Sequence, residues 1–158
     1  MKNKTLLAGM LVLTVMFIGC STASIQYDKM DKSKPSREQA LLYIHKDAFI
    51  RVFDGEKGVM GSGQALPYVY VIAPGKHEFS VDWGHPYILA RNIKMSYVFE
   101  AGRFYYMHGE KVEVIDEIGY TQNTKMIYDK VEIRITDETN STDPELVKIR
   151  EYVRANLK

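Results

Sequence analysis

Apolar and polar residues alternate along most of the chain from residue 40 to residue 136. A strand places successive side chains on opposite sides of a sheet, so this period of two predicts strands with one buried side. The alternation is clearest over His77–Trp83 and is repeated over Ile93–Phe99, where Val98 is the one apolar residue on the polar side. Further strands are predicted at 41–46, 49–53, 68–73, 103–107, 111–115 and 126–136. About eight strands at short spacing predict a mainly β fold, an antiparallel β-sandwich over residues 39–138.

Turn residues separate these strands. Asp54-Gly55 is a frequent hairpin sequence, and Ala73-Pro74-Gly75-Lys76 places proline and glycine where a type II turn requires them. Three glycines in Glu56–Leu66 predict a loop, and Ala101-Gly102 and His108-Gly109 predict turns. This punctuation is typical of a sandwich or a barrel-like meander.

The period changes in residues 139–158. Asp143 and Pro144 suit the N-cap and the first position of a helix. Apolar residues then recur at helical intervals, at Leu146, Ile149, Val153 and Leu157. We expect this C-terminal amphipathic helix to dock on the sandwich or to close one of its ends. A helix that binds a partner is the alternative.

The first nineteen residues have the anatomy of a signal peptide. Lys2 and Lys4 precede Leu6–Ile18, a run of thirteen uncharged residues. A helix that crosses a bilayer needs about 20 apolar residues, whereas the hydrophobic region of a signal peptide needs about 7 to 15. The pattern favours a cleaved signal peptide over the alternative, an uncleaved anchor helix.

Phe17-Ile18-Gly19-Cys20 resembles the lipobox of bacterial lipoproteins, in which the cysteine is lipidated on sulfur and becomes the mature N-terminus. Leucine is usual where this chain has Phe17. The resemblance implies that acyl chains on Cys20 attach the protein to a membrane of the cell envelope. Ser21, where an aspartate would favour the inner membrane, favours the outer one. Cys20 is the only cysteine, so no intramolecular disulfide can form.

Residues 20–38 are polar and of mixed charge, and they predict a flexible tether. Its polar part, the sixteen residues from Ser21 to Ser36, would span at most about 50 Å when fully extended. The domain is therefore expected to stand clear of the bilayer.

Composition narrows the class of function. The 158 residues are enough for one domain. The chain has 21 Lys and Arg against 20 Asp and Glu, and loss of the leader leaves 19 against 20. Nothing in this balance indicates a nucleic acid as partner.

Three segments, each a strand or a turn with its flanking residues, carry a resemblance to a known family. They are Leu41–Ile44, Ile72–Phe79 and Phe99–Tyr106. They resemble the PEGA-like family of small exported domains, in particular a branch of unknown function that is common in bacterial lipoproteins. Arg103 replaces the usual lysine of the third segment, and Gly58–Gly63 expands a short glycine loop of the family. The resemblance implies an Ig-like sandwich that displays surfaces on the cell envelope, and it implies no reaction.

Candidate metal ligands are scattered along the chain, at His45, Asp47, His77, Asp82, His85 and His108. Imidazole and carboxylate are common metal ligands, so an envelope hydrolase or metal-dependent enzyme is the alternative hypothesis. However, no two histidines have the helical spacing of a shared site. Gly61-Ser62-Gly63 matches neither a phosphate loop nor a nucleophile elbow. The sequence therefore predicts no catalytic residue, no cofactor and no resident metal.

Tyrosine is unusually frequent, with eleven residues against six phenylalanines. Tyr68, Tyr70, Tyr105 and Tyr106 lie on predicted strands and could form a surface that binds a glycan, a peptide or a protein. Alternatively, tyrosine is simply a favoured strand residue. The resulting hypothesis is a lipid-anchored envelope protein whose sandwich is a non-catalytic binding or assembly module.

Overall fold

The structure, a computed structural model, describes residues 23–57, 68–84, 90–120 and 123–158, and for residues 90, 111–120 and 123–130 it describes the backbone alone. The strands are β1 (Ser24–Lys29), β2 (Ala40–Ile44), β3 (Ala48–Phe53), β4 (Glu56–Lys57), β5 (Tyr68–Ile72), β6 (Gly75–Trp83), β7 (Ala90–Phe99), β8 (Phe104–Tyr120) and β9 (Asn123–Asp137), and the helix is α1 (Pro144–Asn156). The predictions for the leader, Cys20, the glycine loop and His85 lie outside the described residues.

The strands form two sheets with a shared core, so the predicted mainly β sandwich is confirmed. One sheet has the order β1-β5-β2-β8-β9 and the other the order β4-β3-β6-β7. The four-stranded sheet is antiparallel. The five-stranded sheet is mixed, because β1 pairs with β5 and β2 with β8 in parallel. Side chains alternate between the two sides of a sheet in parallel and in antiparallel strands alike, so the sequence pattern could not reveal these parallel pairs.

The predicted tether over residues 20–38 is corrected by the structure. Ser24–Lys29 forms β1, which pairs with β5 as an edge strand. Ala23, just before it, is 7% exposed. The chain is therefore in a strand from Ser24 onward, and only three residues separate Cys20 from this first strand in the sequence.

The main core lies between the two sheets. The central strand β2 is buried along its whole length, with Leu42 facing the four-stranded sheet and Leu41 facing the opposite side. Core residues from the four-stranded sheet include Ile50, Phe53, Phe79, Val81 and Phe99. Burial of each such side chain stabilises the fold by about 1.5–3 kcal/mol.

The helix α1 covers the outer side of the five-stranded sheet. The Asp143 carboxylate accepts hydrogen bonds from the N–H groups of Glu145 and Leu146, at 2.9 and 3.1 Å, so Asp143 is the N-cap. The second core consists of Ala23, Leu41, Tyr43, Val69, Val71, Phe104, Leu146, Ile149 and Val153. The helix therefore docks on the sandwich as a third layer, and the strands beneath it are apolar on both sides.

The sandwich has two distinct ends. At the Ser24 end, β1 and β5 begin together, with Ser24 opposite Tyr68, while β3 begins where β6 finishes, with Ala48 opposite Trp83. The opposite end is the Asp54 end. Asp54 and Gly55 have φ values of +49° and +79°, the geometry of a two-residue hairpin turn, which confirms the predicted turn between β3 and β4.

The hairpin of β8 and β9 continues past the Ser24 end. β8 pairs with β2 as far as Met107, and it pairs with β9 as far as Tyr120. The predicted turn at His108-Gly109 was wrong, because both residues lie within one strand of 17 residues. The predicted strands at 103–107 and 111–115 belong to this same strand.

Candidate functional site

The two outer sides of the sandwich differ. The outer side of the five-stranded sheet is covered by α1, whereas the outer side of the four-stranded sheet is exposed. Exposed residues on it are Lys76, Glu78, Lys94, Ser96 and Val98. Val98, the exception in the sequence pattern, is 61% exposed. We call this outer side of β3, β6 and β7 the open face.

An ion pair is built into the open face. Arg51 Nε lies 3.2 and 3.0 Å from the two carboxylate oxygens of Asp82, and a terminal nitrogen of Arg51 also donates to Asp82. Asp82 is only 5% exposed, while about half of the Arg51 side chain (48%) is exposed. Binding through two nitrogens fixes the plane of the guanidinium. The open face therefore presents Arg51 in one orientation.

Burial and hydrogen bonding act in opposite directions on Asp82. Burial by itself raises the pKa of the carboxyl. The hydrogen bonds from Arg51 and from the N–H of Asn92, 2.8 Å away, outweigh burial and hold this pKa below its ordinary value. The same contact raises the pKa of Arg51. Both groups are therefore charged at neutral pH.

Irregular strand pairing brings these groups together. The pairing of β3 with β6 shifts register next to Arg51, and the pairing of β6 with β7 shifts register next to Asp82. Asn92 has a φ of +56°, which asparagine tolerates better than most residues. Its side-chain oxygen accepts a hydrogen bond from Ser80 Oγ at 2.6 Å. Such irregularities re-aim side chains and are frequent beside functional sites.

An open groove of about 500 Å³ lies on the same face. Its lining residues are Val52, Gly55, Glu78, Phe79, Ser80, Lys94, Met95 and Ser96. Ser80 connects the groove to Asp82 through Asn92. The groove offers hydroxyl groups and charges of both signs, which can bind a polar ligand by hydrogen bonds.

The predicted tyrosine surface was wrong for Tyr70 and Tyr105. Tyr70 and Tyr105 are 4% and 3% exposed and belong to the core between the sheets. Tyr68 packs against that core, and Tyr106 packs against the core beneath α1. Burial raises the pKa of Tyr70 and of Tyr106 to about 12. Tyr70 and Tyr105 are therefore core residues, whereas Tyr68 and Tyr106 are half-buried at the margins of the two cores.

His77 connects two turns at the Asp54 end. Its Nδ1 lies 2.5 Å from a carboxylate oxygen of Asp54, and its Nε2 lies 2.7 Å from the carbonyl oxygen of Ala73. The other oxygen of Asp54 accepts the N–H of Glu78 at 2.8 Å. Both ring nitrogens of His77 are thus used within the fold, which gives this histidine a structural role.

His45 and His108 belong to a ring cluster at the Ser24 end. We define the ring cluster as Tyr43, His45, Trp83, Tyr106 and His108. Stacked pairs have ring centroids 5.2 Å apart for His45 and Trp83, and 5.1 Å apart for Tyr106 and His108. Burial lowers the pKa of His45, and Asp47, 3.6 Å away, partly opposes this shift.

The described candidate metal ligands lie in three separate places. Asp82 is on the open face, His77 is at the Asp54 end, and His45, Asp47 and His108 are at the Ser24 end. Over the described residues, no group of three or more His, Cys, Asp or Glu side chains could hold a metal ion. In the same part of the chain, no helix is both long and apolar enough to cross a membrane.

Sequence reasoning missed the Arg51–Asp82 pair. Alternation placed Asp82 on the polar side of β6, but it cannot show that a residue on that side is buried. One feature of the sequence could have indicated the pair: Arg51 is the only charged residue of the otherwise apolar strand Ala48–Phe53.

Comparison with known proteins gave no match: no family model, no curated protein and no solved structure matches this chain. The resemblance to the PEGA-like family therefore stays a prediction.

Proposed function

We propose that the chain is a lipid-anchored protein of the cell envelope whose sandwich is a non-catalytic binding or assembly module. Acyl chains on Cys20 attach it to the membrane, and Ser21 favours the outer membrane. The open face, with Arg51 and the groove, takes the binding role that was predicted for the tyrosines. Its ligand is a polar molecule or a polar surface of an envelope partner.

The observation that carries the proposal is the position of Cys20. It follows an apolar leader directly, and only three residues separate it from β1. A signal sequence that ends at this point leaves every described strand and α1 in the mature chain, because β1 begins at Ser24. Each buried CH₂ of an acyl chain contributes about 0.8 kcal/mol, so two chains or more make the attachment stable.

The binding role is supported by the asymmetry of the sandwich. One outer side is covered by α1, whereas the open face exposes a guanidinium held by a buried carboxylate. An arginine fixed in this way loses little side-chain freedom when it binds carboxylate, phosphate or carbonyl oxygen atoms. This arrangement favours recognition over a purely packing role.

Metabolic labelling tests the anchor. Cells that express the wild-type chain, Cys20→Ala or Ser21→Ala are grown with labelled palmitate, and the purified proteins are compared. We expect label in the wild type and in Ser21→Ala, and none in Cys20→Ala. Label that is absent from the wild type, or that persists in Cys20→Ala, contradicts the proposal.

Site-specific photo-crosslinking in intact cells tests the binding face. A photoreactive residue replaces Ser96 on the open face or, as the matched control, Glu151 on the exposed side of α1. We expect a discrete adduct from position 96 that disappears when Asp82→Ala releases Arg51. Equal adducts from both positions, or an adduct that is indifferent to Asp82→Ala, contradict a role for this face.

A further inference from the structure

We infer that the Ser24 end of the sandwich faces the lipid headgroups, with the ring cluster at the membrane interface. This inference rests on the proposed acylation of Cys20. It gives the protein an orientation: the open face stands beside the membrane, and the Asp54 end points away from it.

The chain between Cys20 and Ser24 is short. Four residue steps span at most about 14 Å when fully extended. Ser24 is paired with Tyr68, and Ala23 is buried, so β1 adds nothing to this reach without loss of native contacts. An acylated Cys20 therefore holds the Ser24 end within about 14 Å of the bilayer, where the predicted tether would have allowed about 50 Å.

The Ser24 end carries aromatic and basic side chains. Trp83, His45 and His108 are partly exposed there and stack with neighbouring rings. Tryptophan and tyrosine are enriched at membrane interfaces, because an apolar ring with a polar edge suits the headgroup layer. Lys46 and Arg91, which flank the strand ends here, are exposed and can pair with lipid phosphate.

The hairpin formed by β8 and β9 extends from the same end of the sandwich. The backbone of β8 continues for thirteen residues beyond Met107, where its register with β2 ends opposite Ile44. At about 3.4 Å per residue this extension is up to about 44 Å long. It leaves the body at the Ser24 end and is longer than the four residue steps between Cys20 and Ser24. The inferred orientation therefore requires this hairpin to lie along the membrane surface beside the ring cluster.

The chain contains a single tryptophan, Trp83, so its own fluorescence reports the position of the Ser24 end. The acylated full-length protein is reconstituted in phosphatidylcholine vesicles whose acyl chains are brominated near the headgroup, and in matched vesicles without bromine. We expect bromine to reduce Trp83 emission at least about twofold, as for an indole at the interface.

Two matched variants complete the test. A Gly/Ser spacer of about twenty residues between Thr22 and Ala23 adds about 25 Å of flexible reach and leaves the sandwich unchanged. We expect this spacer to remove most of the quenching. The double variant Trp83→Phe/Lys76→Trp moves the tryptophan to the exposed Lys76 position near the Asp54 end, where we expect no quenching.

Intact mass analysis of each sample separates the two proposals. If the acyl mass is absent from Cys20, the proposed function fails. If it is present while Trp83 is not quenched, or while position 76 is quenched as strongly, the inferred orientation is overturned. Quenching that survives the spacer unchanged also overturns the argument from the short connection.

Discussion

The indole ring of Trp83 lies directly against the backbone of Gly109. A Cβ atom added to Gly109 would lie 2.7–2.8 Å from three carbon atoms of that ring. Carbon atoms in contact are normally about 3.5–4.0 Å apart, so the ring can occupy this position only over glycine. The contact explains why a glycine stands inside β8, and it joins the end of β6 to the other sheet.

Gly109→Ala should therefore destabilise the protein. Forcing a methyl group into this contact displaces the indole ring, at a cost of about 1–3 kcal/mol. The free energy of unfolding, measured by denaturant titration with Trp83 fluorescence as the signal, checks this. Ser96→Ala on the open face is the control and should change stability by less than about 0.5 kcal/mol. Equal stability of Gly109→Ala and the wild type contradicts the packing described here.

Asp82 should make the free energy of unfolding depend on pH in the acid range. Its native pKa is lowered, so its stabilising contribution is complete above the ordinary pKa of about 4 and is lost as the pH falls towards the native value. Asp82→Asn should cost about 2 kcal/mol at neutral pH, because it weakens charged hydrogen bonds. Unfolding curves at several pH values should show this difference shrinking below about pH 4. If the difference in unfolding free energy between the wild type and Asp82→Asn stays constant as the pH falls below about 4, the Arg51–Asp82 ion pair is contradicted.

His77→Phe should destabilise the Asp54 end by about 2 kcal/mol, because the Asp54 carboxylate and the Ala73 carbonyl both lose a partner. Thermal or chemical unfolding measures the loss. Lys76 and Glu78 form an exposed pair whose side chains are 4.0 Å apart, so Lys76→Gln serves as control, with an expected effect below about 0.5 kcal/mol. If the two variants are equally stable, His77 has no structural role at these turns.

His45 should titrate below the ordinary histidine pKa of about 6.5, because burial disfavours its charged form. Its NMR titration, assigned with His45→Gln, gives the midpoint. Asp47→Asn should lower the midpoint further, since the Asp47 charge acts to raise it. Native stability should fall as the pH drops below about 6.5, where the unfolded chain binds a proton that the native ring does not. A midpoint at or above the ordinary value contradicts the buried position.

Several parts of the fold could be predicted from sequence because they follow from local periodicity. The alternation of β6 and β7 and the positive-φ turn at Asp54-Gly55 are local properties of the chain. The strand β1 escaped prediction although Ile25 and Tyr27 alternate with polar residues, because six residues beside a polar stretch give a weak signal. Its parallel pairing with β5 depends on contacts between distant segments, which periodicity does not encode.

The site was predicted less well because it depends on burial. Tyr70 and Tyr105 have the composition of a binding surface, but α1 and the second sheet enclose their strands. Asp82 looks like a solvated strand residue until Arg51 and Asn92 are placed beside it. Gly109 looks like a turn until Trp83 is placed over it. In each case the deciding neighbour is distant in sequence.

The mass of the N-terminal peptide of the mature protein, isolated from cell membranes, tests the central claim most directly. Lipid attachment predicts a peptide that begins at Cys20 and carries acyl chains joined through its sulfur, while Cys20→Ala retains its leader. A mature peptide that still contains Met1, or that begins elsewhere and carries an unmodified Cys20, contradicts the account.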